Sequence, residues 1–382
     1  MTMTLRELLA HSKKQYGIKI IAGTLGLNRP CRWVHIVEDD DVPSFLHGNE
    51  LIFTTGIGMS SKPDFSLMKF AHTLIGKKSS GWVLNIGPYI KEVPQEVIDF
   101  CNSKGLPLFV VPWDKRLVDV TYDLSHILVE NEKFEISVSK AFSNAIFSLG
   151  DEEKNYSILS RGGFNPSTLL KIMIIEILNP EVVESFNDLI VDIESEFQEF
   201  TISVFSESNS LVVISNESIH LDGIDKNKII SNCLERNGIN YRIGISNIAE
   251  GYKNLSVLYS EASDALKTAE LLESQSIYYS ECGIYKLLYK ITDNAVRDNY
   301  LAESIGNIIK YDSENNTNYL EVLETYIKMN GNINEIAEFY GVHRNTVNYR
   351  IRFIKDNFGL NLNYEDIAKL VISFKLMKII GK

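Results

Sequence analysis

The chain of 382 residues is 45% hydrophobic and 23% charged, and its formal net charge is −12. This composition is typical of a globular protein with two or three domains, and the negative charge argues against a chain that coats nucleic acid along its whole length. No apolar run has the length of a membrane span or of a signal-peptide core, and the four cysteines form no CxxC pair. These features predict a cytoplasmic protein with reduced thiols, no metal site, no cofactor and no membrane partner.

Residues 1–114 alternate between β-rich apolar runs and helical segments. The helical segments span about 65–77 and 95–104. The apolar runs read "IKIIAG", "RWVHIV", "ELIFTTG", "GWVLNIG" and "LPLFVVPW". Strands that alternate with helices predict βαβ crossovers, and therefore an α/β domain with an at least partly parallel sheet.

Residues 115–150 predict a helical connector, because no proline interrupts them and apolar residues recur at heptad spacing. The two positions of the heptad frame are occupied by Leu117, Leu124, Asn131, Val138 and Ala145, and by Val120, Ile127, Phe134 and Ala141. A dimeric coiled coil and a single long helix packed on its own domain both fit, since heptad and 3.6-residue patterns overlap over this length.

Residues 151–291 read as strand, helix, hairpin, helix and strand, with the first helix over about 182–200. This order is a split βαβ arrangement and predicts a ferredoxin-like α+β domain. The polar stretch "KYDSENNTNY" (310–319) has the composition of a linker or an exposed loop, and the last domain, over 318–382, follows it.

The segment "INEIAEFYGVHRNTVNYRIRFI" (333–354) predicts two short helices joined by a turn at Gly341. Val342 is expected to point inward, and Val347, Ile351 and Ile354 occupy one stripe of the second helix. This is the pattern of a helix-turn-helix, whose second helix can enter the DNA major groove.

The outward face of that second helix is polar and cationic. Residues 318–382 carry nine basic and seven acidic side chains, a net charge of +2 that leaves −14 for the remainder. The alternatives are an ordinary solvated helix face and, for His343, a structural histidine. The side chains predicted to contact bases or phosphates are His343, Arg344, Asn345, Thr346, Asn348, Tyr349, Arg352 and Lys355.

A small-molecule effector site is predicted in the first domain, because ligands of open α/β sheets bind beyond the carboxyl ends of the strands. Core packing and strand capping are the alternative for the threonines and for Trp33. The candidate residues are His35, Glu38, Thr54, Thr55, Gly56, Asn85 and Trp113.

Several segments together resemble the PucR (purine catabolism regulator) family. "NGNINEIAEFYGVHRNTVNYRIRFIKDNFGLNL" resembles its C-terminal helix-turn-helix, "RPCRWVHIVE" and "FLHGNELIFTTG" resemble its N-terminal domain, and "YSEASDALKTAELL" resembles its degenerate GGDEF-like middle domain. The resemblance implies a multidomain protein that combines an α/β sensory domain, a helical connector, a GGDEF-like α+β domain and an all-α DNA-binding domain. It further implies a bacterial, metabolite-responsive transcription factor, usually an activator, which controls purine catabolism in some members.

The middle block lacks the residues that a working GGDEF enzyme needs, so no catalytic residues are predicted. Its hairpin turn reads "SESNS", without paired glycines or the required phenylalanine, and its first strand carries only Glu176. The predicted partners are double-stranded DNA, a small-molecule effector and a second copy of the chain. The alternatives are a cyclic-dinucleotide receptor or enzyme and a protein-interaction scaffold.

Overall fold

The computed structural model separates the chain into two compact units, one formed by residues 1–241 and 247–260, the other by residues 242–246 and 261–382. Across the described residues, no helix is both long and apolar enough to cross a bilayer. The structure describes residues 3–38, 46–58, 66–183, 185–197, 202–218 and 225–381.

The first unit opens with a five-stranded sheet in the order β1-β5-β4-β3-β2. Strands β2 to β5 pair in parallel, and β1 runs antiparallel to β5. The predicted partly parallel sheet is therefore confirmed. The strands are β1 (Lys19–Ala22), β2 (Trp33–Ile36), β3 (Glu50–Thr54), β4 (Gly81–Ile86) and β5 (Leu108–Pro112).

Helices cover both faces of this sheet. Successive side chains of a strand point to opposite faces, so Ile52 packs with two of the helices while Leu51 and Phe53 pack with the other two. This double coverage explains the nearly continuous apolar strands. The helices are α2 (Leu67–Gly76) and α3 (Gln95–Lys104) on one face, and α1 (Leu5–Tyr16) and α4 (Leu117–Ile146) on the other.

Helix α4 is 30 residues long and turns its heptad face toward its own unit. Val120 and Leu124 pack with α1 and the sheet, while Val138 and Ala141 are buried near its other end. Its second half packs on α5 (Glu152–Arg161). This face of the helix therefore packs within its own unit, and a coiled coil with a second copy stays a prediction. The same spacing serves intramolecular packing because heptad and 3.6-residue patterns overlap over this length.

The rest of the first unit contains an antiparallel sheet in which β8 pairs with both β6 and β7. The helix predicted over 182–200 is shorter, since the Ser185 side chain accepts a hydrogen bond from the Asp188 amide and starts the helix there; residues 198–200 lie outside the described part. The elements are β6 (Leu169–Ile177), α6 (Phe186–Ser195), β7 (Ile202–Glu207), β8 (Ser210–Asn216) and α7 (Lys226–Arg236).

The second unit is mainly helical. The middle of β9 (Tyr241–Glu250) and most of α8 (Leu255–Leu271) belong to it, and β9 pairs in parallel with β10 (Ser276–Tyr278). The remaining helices are α9 (Tyr285–Leu288), α10 (Asn294–Asn315), α11 (Tyr319–Lys328), α12 (Ile333–Tyr340), α13 (Arg344–Phe358) and α14 (Tyr364–Ile379).

The linker or loop predicted over 310–319 is wrong for residues 310–315, because α10 continues to Asn315. Its polar residues serve the junction between two helices: the Asp312 carboxylate accepts hydrogen bonds from the Tyr319 amide and the Leu320 amide, each at 2.9 Å. Composition alone does not distinguish such a capped junction from a flexible segment. The buried face of α10 carries Leu301, Ile305 and Ile308.

Candidate nucleic-acid interface

Helices α12 and α13 are joined by a three-residue turn with well-defined ends. Gly341 closes α12 at φ 62° and ψ 33°, in the left-handed region. His343 then opens α13, since its Nδ1 accepts a hydrogen bond from the Asn345 amide at 3.2 Å. These two caps set the direction in which α13 leaves the turn.

A compact apolar core fixes α13 against α12. Ile336 and Ile354 are fully buried, and Val347 and Ile351 are nearly so. The predicted inner stripe of the second helix is therefore confirmed. Val342 is 38% exposed, so its predicted inward orientation is wrong; it lies in the turn, before the helical register begins.

Aromatic side chains anchor the other end of α13. Phe353 stacks on Tyr319 of α11, with ring centroids 4.6 Å apart and planes 11° from parallel. Tyr311 of α10 lies 5.6 Å from the Phe358 ring in an edge-on arrangement. Since such contacts require α10 and α11 in place, α13 is held by the whole helical unit and not by α12 alone.

All the side chains predicted to contact DNA are exposed in the structure. They start at the N-terminus of α13 and continue along its outward face, opposite Val347. One refinement concerns His343: because its Nδ1 caps the helix, Nε2 is the ring nitrogen left to face a ligand. The exposed residues are His343, Arg344, Asn345, Thr346, Asn348, Tyr349, Arg352 and Lys355.

Two arginines of α13 differ in their surroundings. Arg350 is half-buried and donates a hydrogen bond from Nη1 to the Asn318 side-chain oxygen at 3.4 Å, so it ties α13 to the start of α11. Arg352 has an 83% exposed side chain, with its Nε 3.6 Å from the Asp356 carboxylate. The helical register of Val347, Ile351 and Ile354 places Arg352 on the outward face and Arg350 on the side of the core. No local sequence pattern indicates that Asn318 is the partner of Arg350.

We expect Gly341→Ala to destabilise the second unit by about 1–2 kcal/mol, because an L-residue with a side chain is disfavoured in the left-handed region. Nothing lies within 4 Å of the added Cβ, so the effect is conformational and not steric. Gly341→Asn should cost less, because asparagine tolerates this conformation. Thermal unfolding followed by circular dichroism measures both variants.

Gly306→Ala in α10 is the matched control for this prediction. Its φ is not positive, and its added Cβ would make only ordinary contacts, the nearest at 3.8 Å. Alanine should therefore stabilise the helix there. Equal losses from Gly341→Ala and Gly306→Ala would contradict the role assigned to Gly341.

At the carboxyl edge of the first sheet, two of the predicted effector residues are buried and used internally. The Thr54 hydroxyl accepts a hydrogen bond from Trp82 Nε1 at 3.1 Å. Asn85 donates from its side-chain amide to the carbonyl groups of Val111 and Pro112, at 3.2 and 3.1 Å, and so ties β4 to β5. Both side chains therefore make hydrogen bonds within the sheet edge itself.

Of the remaining predicted effector residues, Gly56 is buried, whereas His35, Glu38, Thr55 and Trp113 lie closer to solvent. The Glu38 carboxylate accepts hydrogen bonds from the amides of Thr55 and Gly56, at 2.8 and 3.0 Å, and so holds the loop after β3. Trp113 is 40% exposed, and its ring centroid lies 5.7 Å from that of Tyr89. His35 is half-buried within β2 and not at its end. Tyr89 was not among the predicted residues.

The arrangement of α12 and α13 defines a helix-turn-helix, the class of module whose second helix fits the DNA major groove. Residues 319–376 match the PucR C-terminal helix-turn-helix domain, and residues 7–128 match the purine catabolism regulatory protein-like (PucR) family. Both matched segments thus carry domains of PucR-type regulators.

Three relatives from Bacillus subtilis (strain 168) are regulators by name. The chain is 26% identical over 200 residues to the DNA-binding transcriptional activator AdeR, covering 50% of this chain and 47% of that protein. It is 32% identical over 133 residues to the purine catabolism regulatory protein, covering 34% and 25%. It is 30% identical over 140 residues to the proline-responsive transcriptional activator PutR, covering 36% and 34%. The matches thus span between a quarter and about half of the relatives' length.

Proposed function

We propose that the protein is a transcriptional regulator that binds double-stranded DNA through α13 and responds to a small metabolite. The observation that carries the proposal is the exposed polar and cationic face of α13, held at a fixed angle by a capped turn and a buried core. The regulatory roles named for the relatives support it, and all three are described as activators or regulators. Activation of a purine or related nitrogen and carbon pathway is the corresponding proposal for its biological role.

The proposed division of labour follows the chain. Residues 1–114 sense the effector, residues 115–150 connect, residues 151–291 form a degenerate, ferredoxin-like GGDEF-like domain, and residues 318–382 bind DNA. A homodimer fits this scheme, because helix-turn-helix proteins that act as two-fold dimers read two half-sites about one helical turn apart.

The effector is proposed to bind at the carboxyl edge of the first sheet, against the exposed ring of Trp113. A planar metabolite would stack on Trp113, while Thr55, Gly56 and Glu38 border the same edge. Stacking on an aromatic ring contributes about 0.5–1.5 kcal/mol. Trp113→Ala is therefore expected to raise the metabolite concentration that alters DNA binding by about 3- to 10-fold, measured by fluorescence anisotropy with a panel of purine-breakdown metabolites and amino acids.

The control for this experiment is Leu25→Ala, which removes an 89% exposed apolar side chain elsewhere in the same unit. Trp113 is a cleaner test than Glu38 or Asn85, because those two side chains hold the backbone of the strand ends. An unchanged metabolite response in a folded Trp113→Ala protein would rule out a site that depends on this ring.

Two alternatives belong to other classes. A cyclic-dinucleotide enzyme or receptor would use the middle domain, where the hairpin turn around Ser208 lacks paired glycines and Glu207 accepts a hydrogen bond from the Tyr259 hydroxyl at 2.8 Å. Nucleotide turnover with magnesium, and nucleotide binding without it, test this alternative.

A protein-interaction scaffold would bind a partner through the C-terminal helices, and salt-dependent DNA binding that requires Arg344 would argue against it.

A further inference from the structure

A cavity of about 210 Å³ lies between α4 and the amino-terminal end of β2, within the first unit. We call it the β2–α4 cavity. Because β2 and β5 run in the same direction, it lies at the opposite end of the sheet from Trp113, which follows the carboxyl end of β5. It is therefore separate from the effector edge proposed above.

The helical wall of this cavity is polar at a position where the inward face of α4 is otherwise apolar. Leu124 and Val138 are buried, whereas Asn131, which occupies the same heptad position between them, is half-buried and lines the cavity. Its side-chain amide donates a hydrogen bond to the Glu135 carboxylate at 2.8 Å. Polar side chains thus stand where apolar side chains would complete the packing of α4, which is a feature of binding sites.

The two walls carry opposite charges that do not pair with each other. Arg32, on the β2 side, makes no side-chain hydrogen bond within the described part of the chain, and its guanidinium lies 3.7 Å from the exposed Asp188 carboxylate. Glu132, on the α4 side, makes neither a hydrogen bond nor an ion pair with any residue that the structure describes. An exposed ion pair at 3.7 Å contributes little, so Arg32 and Glu132 are both available to a ligand.

Glu135 supplies a second carboxylate to the helical wall. It is half-buried, and burial raises the pKa of its carboxyl group. The hydrogen bond from Asn131 occupies only part of its capacity, since a carboxylate has two acceptor oxygens. With one cationic and two anionic side chains, the lining of the cavity favours a ligand that carries an ammonium group.

The rest of the lining is mainly apolar. Leu128 is 7% exposed and Cys31 is 1% exposed, and both lie at the cavity wall beside Val34, Val129 and Met3. A small aliphatic group would be removed from water there, while charged groups on the same ligand stay next to the charged side chains.

We propose that the β2–α4 cavity binds an α-amino acid with an aliphatic side chain. The carboxylate of the ligand pairs with Arg32, its ammonium group pairs with Glu132 and Glu135, and its side chain lies against Leu128. A simple anion or a simple cation would satisfy only one of the two walls, whereas a zwitterion satisfies both. This ligand is additional to the effector at the Trp113 edge, and its tests are made without DNA, so they do not depend on whether α13 binds DNA.

The first test is isothermal titration calorimetry of the full chain with L-valine, L-leucine, L-isoleucine and L-proline. The amino acid that binds most tightly is then compared with its decarboxylated amine and with its deaminated carboxylic acid. Each analogue is expected to bind at least about 10-fold more weakly, because it lacks one charge-assisted contact. Absence of saturable binding for all four amino acids, or equal binding of the amino acid and its two analogues, would overturn the proposal.

Two variants assign the charges to the two walls. Arg32→Gln should weaken binding of the amino acid by about 10-fold or more and leave binding of the amine unchanged. Glu132→Gln should also weaken binding of the amino acid, but leave binding of the carboxylic acid unchanged. Loss of structure would not produce this reciprocal pattern. Glu130→Gln is the matched control on α4, because Glu130 pairs with Lys133 at 2.8 Å and does not line the cavity.

A third variant tests the location of the bound amino acid. Val129→Phe should fill part of the cavity and weaken binding by at least about 10-fold, and thermal unfolding without ligand should change little because Val129 is 41% exposed. Trp113→Ala should leave binding of the amino acid unchanged. Binding that survives Val129→Phe and is lost in Trp113→Ala would place the amino acid at the carboxyl edge of the sheet and overturn the proposal.

Discussion

Replacing Arg344 and Asn345 together by alanine is expected to abolish sequence-specific DNA binding while leaving the fold intact. Both side chains are exposed at the N-terminus of α13, where base contacts of a recognition helix concentrate. A bidentate contact to a base contributes about 1–3 kcal/mol of discrimination, so the double variant should bind its preferred sequence at least about 30-fold more weakly. The affinity of both proteins is measured by fluorescence anisotropy at two salt concentrations. The probe is a DNA sequence that the wild-type protein selects from a random pool.

Lys328→Ala is the matched control, because it also removes one positive charge from the helical unit. Its Nζ lies 2.8 Å from the Glu324 carboxylate on α11, away from the exposed face of α13. It should change binding little at either salt concentration. Equal weakening by the two variants would mean that DNA responds only to overall charge, and α13 would lose its assigned role.

The second large effect is expected from Ile354→Ala. Ile354 is fully buried between α13 and the rest of the helical unit, and truncation of such a side chain costs about 2–5 kcal/mol. Hydrogen exchange at the α13 amides should accelerate accordingly, because the helix opens more often. DNA binding should weaken with rising temperature and recover on cooling, since the contact surface itself is unchanged.

Arg352→Ala separates stability from binding in this comparison. Its side chain is 83% exposed, so the free energy of unfolding should change by no more than about 0.5 kcal/mol. DNA affinity should nevertheless fall at all temperatures. Identical exchange rates in the Ile354→Ala and Arg352→Ala proteins would show that Ile354 does not hold the recognition helix.

The sequence alone predicted the structure correctly where a periodic pattern of apolar residues was compatible with only one arrangement. The alternation of apolar runs with helices predicted the first sheet, and the spacing of Val347, Ile351 and Ile354 predicted which face of α13 is buried. That register also placed Arg352 outward. In these cases the buried face must be apolar whatever surrounds it, so local sequence determines the result.

Elsewhere the outcome depended on distant partners that local sequence does not reveal. The heptad spacing on α4 left open whether the helix packs on its own unit or on a second copy. Val120 and Val138 are buried within their own unit, and the spacing alone does not reveal these partners. Asn85 was predicted for an effector, yet its amide is used by carbonyl groups of β5. A polar residue at a strand end can serve either purpose, and only the neighbouring strand distinguishes them.

The contribution of α10 has a consequence for how this DNA-binding end could be exchanged between proteins. Sequence similarity marks it from residue 319, but Leu301, Ile305 and Ile308 belong to the same core as Leu323 and Ile336. A graft that begins at Tyr319 would leave behind the Asp312 carboxylate that caps α11. The segment recognisable by its sequence is thus shorter than the segment that packs as one core. Asp293, whose side chain caps α10, is the latest start that keeps α10 intact, and the same core also includes Ala265, Ile277 and Leu288 from the elements before it.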